Sequence, residues 1–226
     1  MSKQQFAIYD MDKTITRVPT YPGFLRHAAL RLAPWRLILL PFVGLSVAAY
    51  SLRLIDRQRL KEINQRILLG PHTRKSELAT VAASFAEKTL TDNVHPGALS
   101  AIAIDRAAGR RLVMATASYR LYVEAIAEQL GFDDVIATNS LTGLDDRVIA
   151  RVDGENCYGP AKLRMIVAWM EREGIKREQA NIRFYSDHAS DAPVLEWADE
   201  PFAVNAHDEL RRLAQQRGWT IVDWGD

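Results

Sequence analysis

The sequence predicts an α/β fold: a parallel sheet interleaved with helices and interrupted once by a helical insertion. Three observations carry this. Short apolar runs rich in strand formers, at 6–9, 112–115, 135–137, 182–185 and 201–204, alternate with stretches of helical spacing, the signature of βαβ units. Polar and acidic residues gather just after these runs, at the carboxyl edge where open α/β sheets bind ligands. Between Arg17 and Leu90 the chain shows helical spacing and no convincing strand, over a length too great for a loop.

The first strand is Phe6-Ala7-Ile8-Tyr9, bounded by polar residues and apolar throughout, as suits a parallel strand buried on both faces. In the insertion, Tyr21, Phe24, Leu25, Ala28 and Leu32 recur at helical spacing before Pro34 punctuates. A second helix carries Ile55, Leu60, Ile63 and Ile67 and ends at Gly70-Pro71; a third carries Leu78, Val81 and Phe85, with Ser76 as its cap. After it, Pro96-Gly97 opens a helix that ends near Gly109. The strand at 112–115 runs into Thr116-Ala117-Ser118, and the helix that follows closes at Gly131. A polar β excursion or hairpin spans 144–153. Gly159-Pro160 starts the next helix, with proline in a favoured first-turn position. The strand at 182–185 ends in Ser186-Asp187-His188-Ala189-Ser190-Asp191, and a short helix with Val194, Leu195 and Trp197 follows. A fifth strand, a helix over 210–217 and a last apolar piece at 219–224 complete the chain.

The 226 residues suit one domain, or one domain with an insertion. With 48% hydrophobic and 25% charged residues, the composition is that of a soluble globular protein able to bury a sizeable core. The single cysteine, Cys157, excludes an internal disulfide and fits a reducing cytoplasm. No signal peptide is expected before the first strand. Net charge is +1, but residues 17–75 hold 11 Lys and Arg against 2 acids, a net of +9, while the remainder stands at −8. A basic segment spliced into an acidic body implies an anionic partner. Inside that segment, the run 37–52, opening on Leu37 and closing on Leu52, carries no charge and is flanked by Arg36 and Arg53. It is short of the roughly 20 apolar residues of a membrane span. A buried cap helix, a helix lying in a membrane interface and a partner-binding face all remain open, the basic flanks favouring the interface.

Asp10 and Asp12, at the end of the first strand, point to a metal, a transferred phosphoryl group, or both. Taken singly, the candidates have structural readings as well. Thr14, Thr116, Ser118 and Asp191 suit helix caps, and Asp187 suits a turn. Lys162 is harder to read that way, because a cation in a first helical turn opposes the helix dipole unless an anion offsets it.

In this order and at strand ends, the segments Asp10-Met-Asp12-Lys-Thr14, Leu112-Val-Met-Ala-Thr116-Ala-Ser118, Lys162 and Tyr185-Ser186-Asp187-His188-Ala-Ser-Asp191 resemble the four motifs of the haloacid dehalogenase (HAD) superfamily. The likeness is to its phosphoserine-phosphatase-like group with a helical cap, subfamily IB. It implies a Rossmann-like HAD core over 1–16 and 92–226 and an all-helical cap over 17–91. It further implies a Mg²⁺-dependent phosphomonoesterase in which Asp10 attacks phosphorus and Asp12 acts as acid and base. Mg²⁺ would be held by Asp10, the Asp12 carbonyl and Asp187. Thr116, Ser118 and Lys162 would bind phosphoryl oxygens, and Asp191 would support Lys162 or a metal-bound water. Asp12 separates this pattern from dehalogenase-like members and transport ATPases, which lack an acid there. His188 departs from the small residue common at that place and is read as a surface residue.

The apolar, Arg-rich cap suits an amphiphilic phosphate such as phosphatidylglycerophosphate. A small metabolite such as phosphoserine, or phosphotransfer to an alcohol, stays open. From a different class, an interaction protein whose cap binds a membrane or partner is the alternative. The expected location is cytoplasmic, with membrane association on the cytoplasmic face if 37–52 lies in an interface. Cys157 has no histidine near it in sequence, and His27, His72, His95 and His207 lack zinc-ligand spacing. Trp197, Trp219 and Trp224 read as core. No nucleic-acid motif is present.

Overall fold

The computed structural model describes residues 3–225. In chain order the elements are β1 (Gln4–Tyr9), α1 (Thr20–Leu32), a 3-10 segment (Pro34–Leu39), α2 (Leu40–Ser51), α3 (Arg57–Leu68), β2 (His72–Arg74), α4 (Lys75–Asp92), α5 (Pro96–Ala107) and β3 (Arg111–Tyr119). Then come α6 (Arg120–Leu130), β4 (Asp134–Thr142), β5 (Arg147–Asp153), α7 (Pro160–Arg172), β6 (Ala180–Ser186), α8 (Ala192–Trp197), β7 (Glu200–Val204), α9 (Asp208–Arg217) and β8 (Thr220–Val222).

The strands form one sheet in the order β2-β5-β4-β3-β1-β6-β7-β8. β1 lies between β3 and β6, parallel to both. Its alternating side chains divide the interior: Phe6 and Ile8 join one core, Ala7 and Tyr9 the other, as the period of two along a strand requires. The first core includes Ile166 and Met170 of α7, Val194 of α8 and Leu210 of α9. The second includes Phe24 of α1, Phe85 of α4, Ile102 of α5 and Tyr122 of α6. Two helices of the insertion, α1 and α4, therefore build one face of the sheet, and α4 packs along α6. Phe24 stacks on Tyr122 with ring centroids 4.4 Å apart. The insertion is continuous with the core packing, while α3 reaches the carboxyl end of β3 and α2 packs on α3.

Four expectations are corrected. The insertion carries one short strand, β2, which pairs antiparallel with the edge of β5; three residues are too few to leave a periodic signal. Ser76 does not cap α4, which starts at Lys75 with Arg74 in the cap position. Neither Thr116 nor Ser118 caps α6, since β3 continues to Tyr119. Trp197, Trp219 and Trp224 are half-buried at the margins of the two cores rather than inside them.

The uncharged run folds as the 3-10 segment followed by α2, with Pro41 in the helix's first turn. It is not a buried helix: of the 18 residues from Pro34 to Ser51, 6% are buried.

Candidate active site

Register explains the convergence at the carboxyl edge. Tyr9 pairs with Met114 of β3 and with Tyr185 of β6. Asp10, one residue past β1, thus sits beside Thr116 and Asp187, each two residues beyond those partners. The Asp10 amide donates to the Tyr185 carbonyl, which holds the strand end in place. Beyond it the chain turns sharply, with Lys13 at φ 64°.

Asp10, Asp12, Thr116, Lys162, Asp187 and Asp191 line one cavity of about 240 Å³. The Lys162 Nζ reaches Asp191 Oδ2 at 2.6 Å and Asp10 Oδ1 at 3.1 Å. Lys162 lies in the first turn of α7 and is 1% exposed. Gly159 begins that turn at φ 57°, ψ −135°, a conformation natural only to glycine. Ser186 donates to Asp191 Oδ2 at 2.8 Å, whereas Asp191 Oδ1 is buried with no hydrogen-bond partner. Asp191 occupies the cap position of α8, but its side chain caps nothing; it faces Lys162 instead.

Thr14 and Asp187 lock two motifs together. The Thr14 hydroxyl accepts from the Asp187 amide at 3.0 Å and donates to Asp187 Oδ1 at 3.1 Å. Thr14 is therefore a cross-strand clamp and not a helix cap. Asp12 is oriented by three donors: the Thr20 amide and hydroxyl reach Oδ1, each at 2.7 Å, and the Ser118 hydroxyl reaches Oδ2 at 2.6 Å. Ser118 in turn donates its amide to the Thr116 hydroxyl at 3.1 Å.

The electrostatics follow from burial. Desolvation raises Asp10 well above the usual carboxylate range; Lys162 opposes this, and Asp191, Asp187 and Asp12 add to it. Asp187 is raised by burial, against the Thr14 hydrogen bond and Lys162. Burial depresses Lys162, but Asp10 and Asp191 outweigh it and keep the ammonium charged. Cys157 is buried and its thiol is pushed up to about 12, so it is no nucleophile at neutral pH.

Sequence reasoning missed three groups. Thr20 binds Asp12. Lys61 reaches across from α3 to the Ala117 carbonyl at 2.6 Å and Asn156 Oδ1 at 2.8 Å, tying the insertion to the end of β3. Arg57 stacks over Tyr158, 4.3 Å from the ring centroid, and both line the cavity. All three depend on contacts between distant segments, which periodicity does not reveal. His188 is exposed, as expected, and sits at the cavity rim.

The donors suit a hard cation. Asp10 and Asp187 offer carboxylate oxygens to one cavity, where the buried carboxylates of Asp10, Asp187 and Asp191 outnumber the one buried lysine, Lys162. Among the described residues, no three His, Cys, Asp or Glu side chains form a metal cluster by themselves. Two carboxylates completed by a backbone carbonyl, phosphoryl oxygens and water match the preference of Mg²⁺.

A largely parallel sheet, antiparallel only where β5 joins β4 and β2, with acids and a lysine gathered at its carboxyl edge suits an α/β enzyme of the phosphatase type. The chain belongs to the haloacid dehalogenase-like hydrolases, whose family model matches residues 7–196. It is 33% identical, over 96% of its length and 78% of the relative's, to the inhibition of morphological differentiation protein of Streptomyces azureus. It is 24% identical to a phosphoserine phosphatase of Mycobacterium tuberculosis, over 96% of this chain and 70% of that one. Among solved structures, a Bordetella pertussis protein of unknown function matches at a TM-score of 0.88 with 23% identity, covering 99% of this chain and 100% of that one. A phospho-aspartyl intermediate analogue of phosphoserine phosphatase matches at 0.63 with 18% identity, over 99% and 95%.

Proposed function

We propose that the chain is a Mg²⁺-dependent phosphomonoesterase that works through an aspartyl-phosphate on Asp10. The observation that carries this reading is Lys162, buried and charged, held between Asp10 and Asp191 in the cavity that also holds Asp187.

A carboxylate oxygen of Asp10 attacks phosphorus and the bond to the leaving oxygen breaks. A proton on Asp12 passes to that leaving oxygen. In the second step Asp12 takes a proton from water, the water oxygen attacks phosphorus, and inorganic phosphate leaves Asp10. Thr116 and Lys162 bind the phosphoryl oxygens as charge spreads over them, with Ser118 fixing Asp12. Asp10, the Asp12 carbonyl and Asp187 would hold Mg²⁺, which when bound offsets the repulsion between carboxylate and phosphate.

The apolar, arginine-rich α2–α3 region supports a phosphorylated lipid such as phosphatidylglycerophosphate as substrate. A second reading, a small phosphorylated metabolite, draws on relatives named for histidinol-phosphatase and phosphoserine phosphatase activity. The test is phosphate release from phosphoserine, histidinol phosphate and micellar phosphatidylglycerophosphate, with Mg²⁺ and with EDTA, by the wild type and Asp10→Asn. Release that needs Mg²⁺ and vanishes in Asp10→Asn is expected. Equal release by the two proteins overturns the mechanism, and the preferred ester decides between the substrates.

A further inference from the structure

Fourteen large hydrophobic side chains are exposed among the described residues, and ten of them fall between Leu30 and Leu54. Trp35, Ile38, Leu45, Leu52 and Leu54 are each more than 60% exposed. Surface apolar residues scattered singly are ordinary; a contiguous group of this size marks an interaction site.

One side of this segment is fastened to the protein. Val43 and Leu37 pack on the core, Ser46 donates to Asn64 of α3 at 2.6 Å, and the Arg36 guanidinium donates to the Ile67 carbonyl at 3.0 Å. Those ties hold one side of α2 against α3 and leave the rest of its apolar surface outward. Along the segment itself the charge is of one sign, with Asp56 the first acid after it, at the edge of the neighbouring groove. No acid occurs between Asp12 and Asp56, while Arg26, Arg31, Arg36 and Arg53 all lie in that interval. Trp35 and Tyr50 stand near the two ends of the segment, where amphipathic rings favour a membrane boundary.

From this geometry we infer that the outward face of residues 30–54 docks on an anionic bilayer. An apolar helix tied down on one side and flanked in sequence by arginines gains from apolar burial and from attraction to anionic headgroups together. A protein partner would need acids to answer the arginines, and a second copy of this chain packed face to face would bring arginine against arginine.

The docked face leads to the catalytic cavity. Tyr50, Leu54, Ile55, Arg57 and Tyr158 line a groove of about 620 Å³, and Arg57 and Tyr158 also line the cavity of Asp10. Docking therefore sets the groove at the bilayer surface, where a membrane-held phosphate monoester can reach Asp10. This last point deepens the phosphatase reading and rests on it; the docking itself does not.

The test is co-sedimentation of the full chain with phosphatidylcholine vesicles, with and without 30 mol% phosphatidylglycerol (an amount on the order of natural anionic surfaces). Phe42→Asp/Leu45→Asp alters only exposed positions outside the cavity. Wild type should sediment with anionic vesicles and at least ~10-fold less with neutral ones or as the double variant, since both apolar and electrostatic contributions are needed. Hydrolysis of soluble p-nitrophenyl phosphate by the double variant should stay within about twofold of wild type, as the cavity is untouched. Wild type left in the supernatant with anionic vesicles overturns the inference, as does a double variant that sediments equally well. A wild-type dimer that the double variant dissociates, with no vesicle binding, also overturns it and assigns the face to self-association. Asp10→Asn should sediment like wild type, so loss of the catalytic reading and loss of the docking reading are separately visible.

Discussion

Lys162 donates to Asp191 at 2.6 Å from a position where both side chains are almost fully buried. The pair fixes where the ammonium points: Asp191 draws it to one side and Asp10 Oδ1 lies 3.1 Å away on the other. Asp191→Asn should keep the lysine in place but orient it less firmly, lowering kcat roughly 10- to 100-fold, the range for a lost supporting partner. Lys162→Met should cost more, about 10³-fold. Steady-state hydrolysis of p-nitrophenyl phosphate checks both, with circular dichroism to confirm folding.

Thr20 is the first residue of α1, and its amide and hydroxyl both bind Asp12. Thr20→Val removes the hydroxyl and leaves the amide. One of two aligned donors to the same oxygen is then lost, so kcat should fall about 10-fold, corresponding to ~1.4 kcal/mol of lost orientation. Thr20→Ser should restore most of it. Activity that is unchanged in Thr20→Val would show that Ser118 and the Thr20 amide suffice to position Asp12.

Lys61 carries the clearest pH signature. Burial, with Arg57 adding, pulls it down to about 7. The unfolded chain therefore holds the Lys61 proton more tightly than the folded one between about pH 7 and the ordinary lysine value. The penalty for burying the charge is complete below pH 7 and is relieved as pH rises through that window. Against Lys61→Met, the wild type should gain roughly 1–2 kcal/mol between pH 6.5 and pH 9, measured by urea unfolding at each pH. A difference that does not vary with pH would refute this.

Asp105, fully buried on α5, binds the Tyr9 and Tyr185 hydroxyls and pairs with Arg183 and Arg110. It braces the strands that carry Asp10 and Asp187 from below. Asp105→Ala strands the buried Tyr9 hydroxyl and takes one carboxylate from Arg183 and Arg110, which keep Glu200, and should cost about 3 kcal/mol. The readout is the urea midpoint, with Asp105→Asn expected to be milder because it still accepts from the tyrosines.

Mg²⁺ should stabilise the fold as well as support turnover. A ligand present at 100 times its Kd adds about 2.7 kcal/mol, so the melting temperature should rise with Mg²⁺ in the wild type and much less in Asp187→Asn. An equal rise in both would remove Asp187 from the metal site.

The signals legible in the sequence were local ones. Apolar runs ending in Asp10, Thr116 and Asp187 could be read as strand ends, because burial on both faces imprints the run and a carboxyl edge collects polar groups. Gly159-Pro160 marked the start of the Lys162 helix for a similarly local reason, a glycine-only backbone followed by a proline. Thr14, which reads as a cap, proves to be a clamp on Asp187 173 residues away, and no spacing rule reports such a pairing.

The sequence by itself determined the alternation of strands and helices, the charge imbalance of the insertion and the order of the acidic and basic groups, since each of these is written in neighbouring residues. Only the tertiary structure decided that α1 and α4 line the same core as the sheet, that Thr20, Lys61 and Arg57 reach the site, and that the apolar run faces outward. Burial is settled by which surfaces meet across long stretches of chain, and an apolar segment carries the same letters whether a neighbour covers it or not.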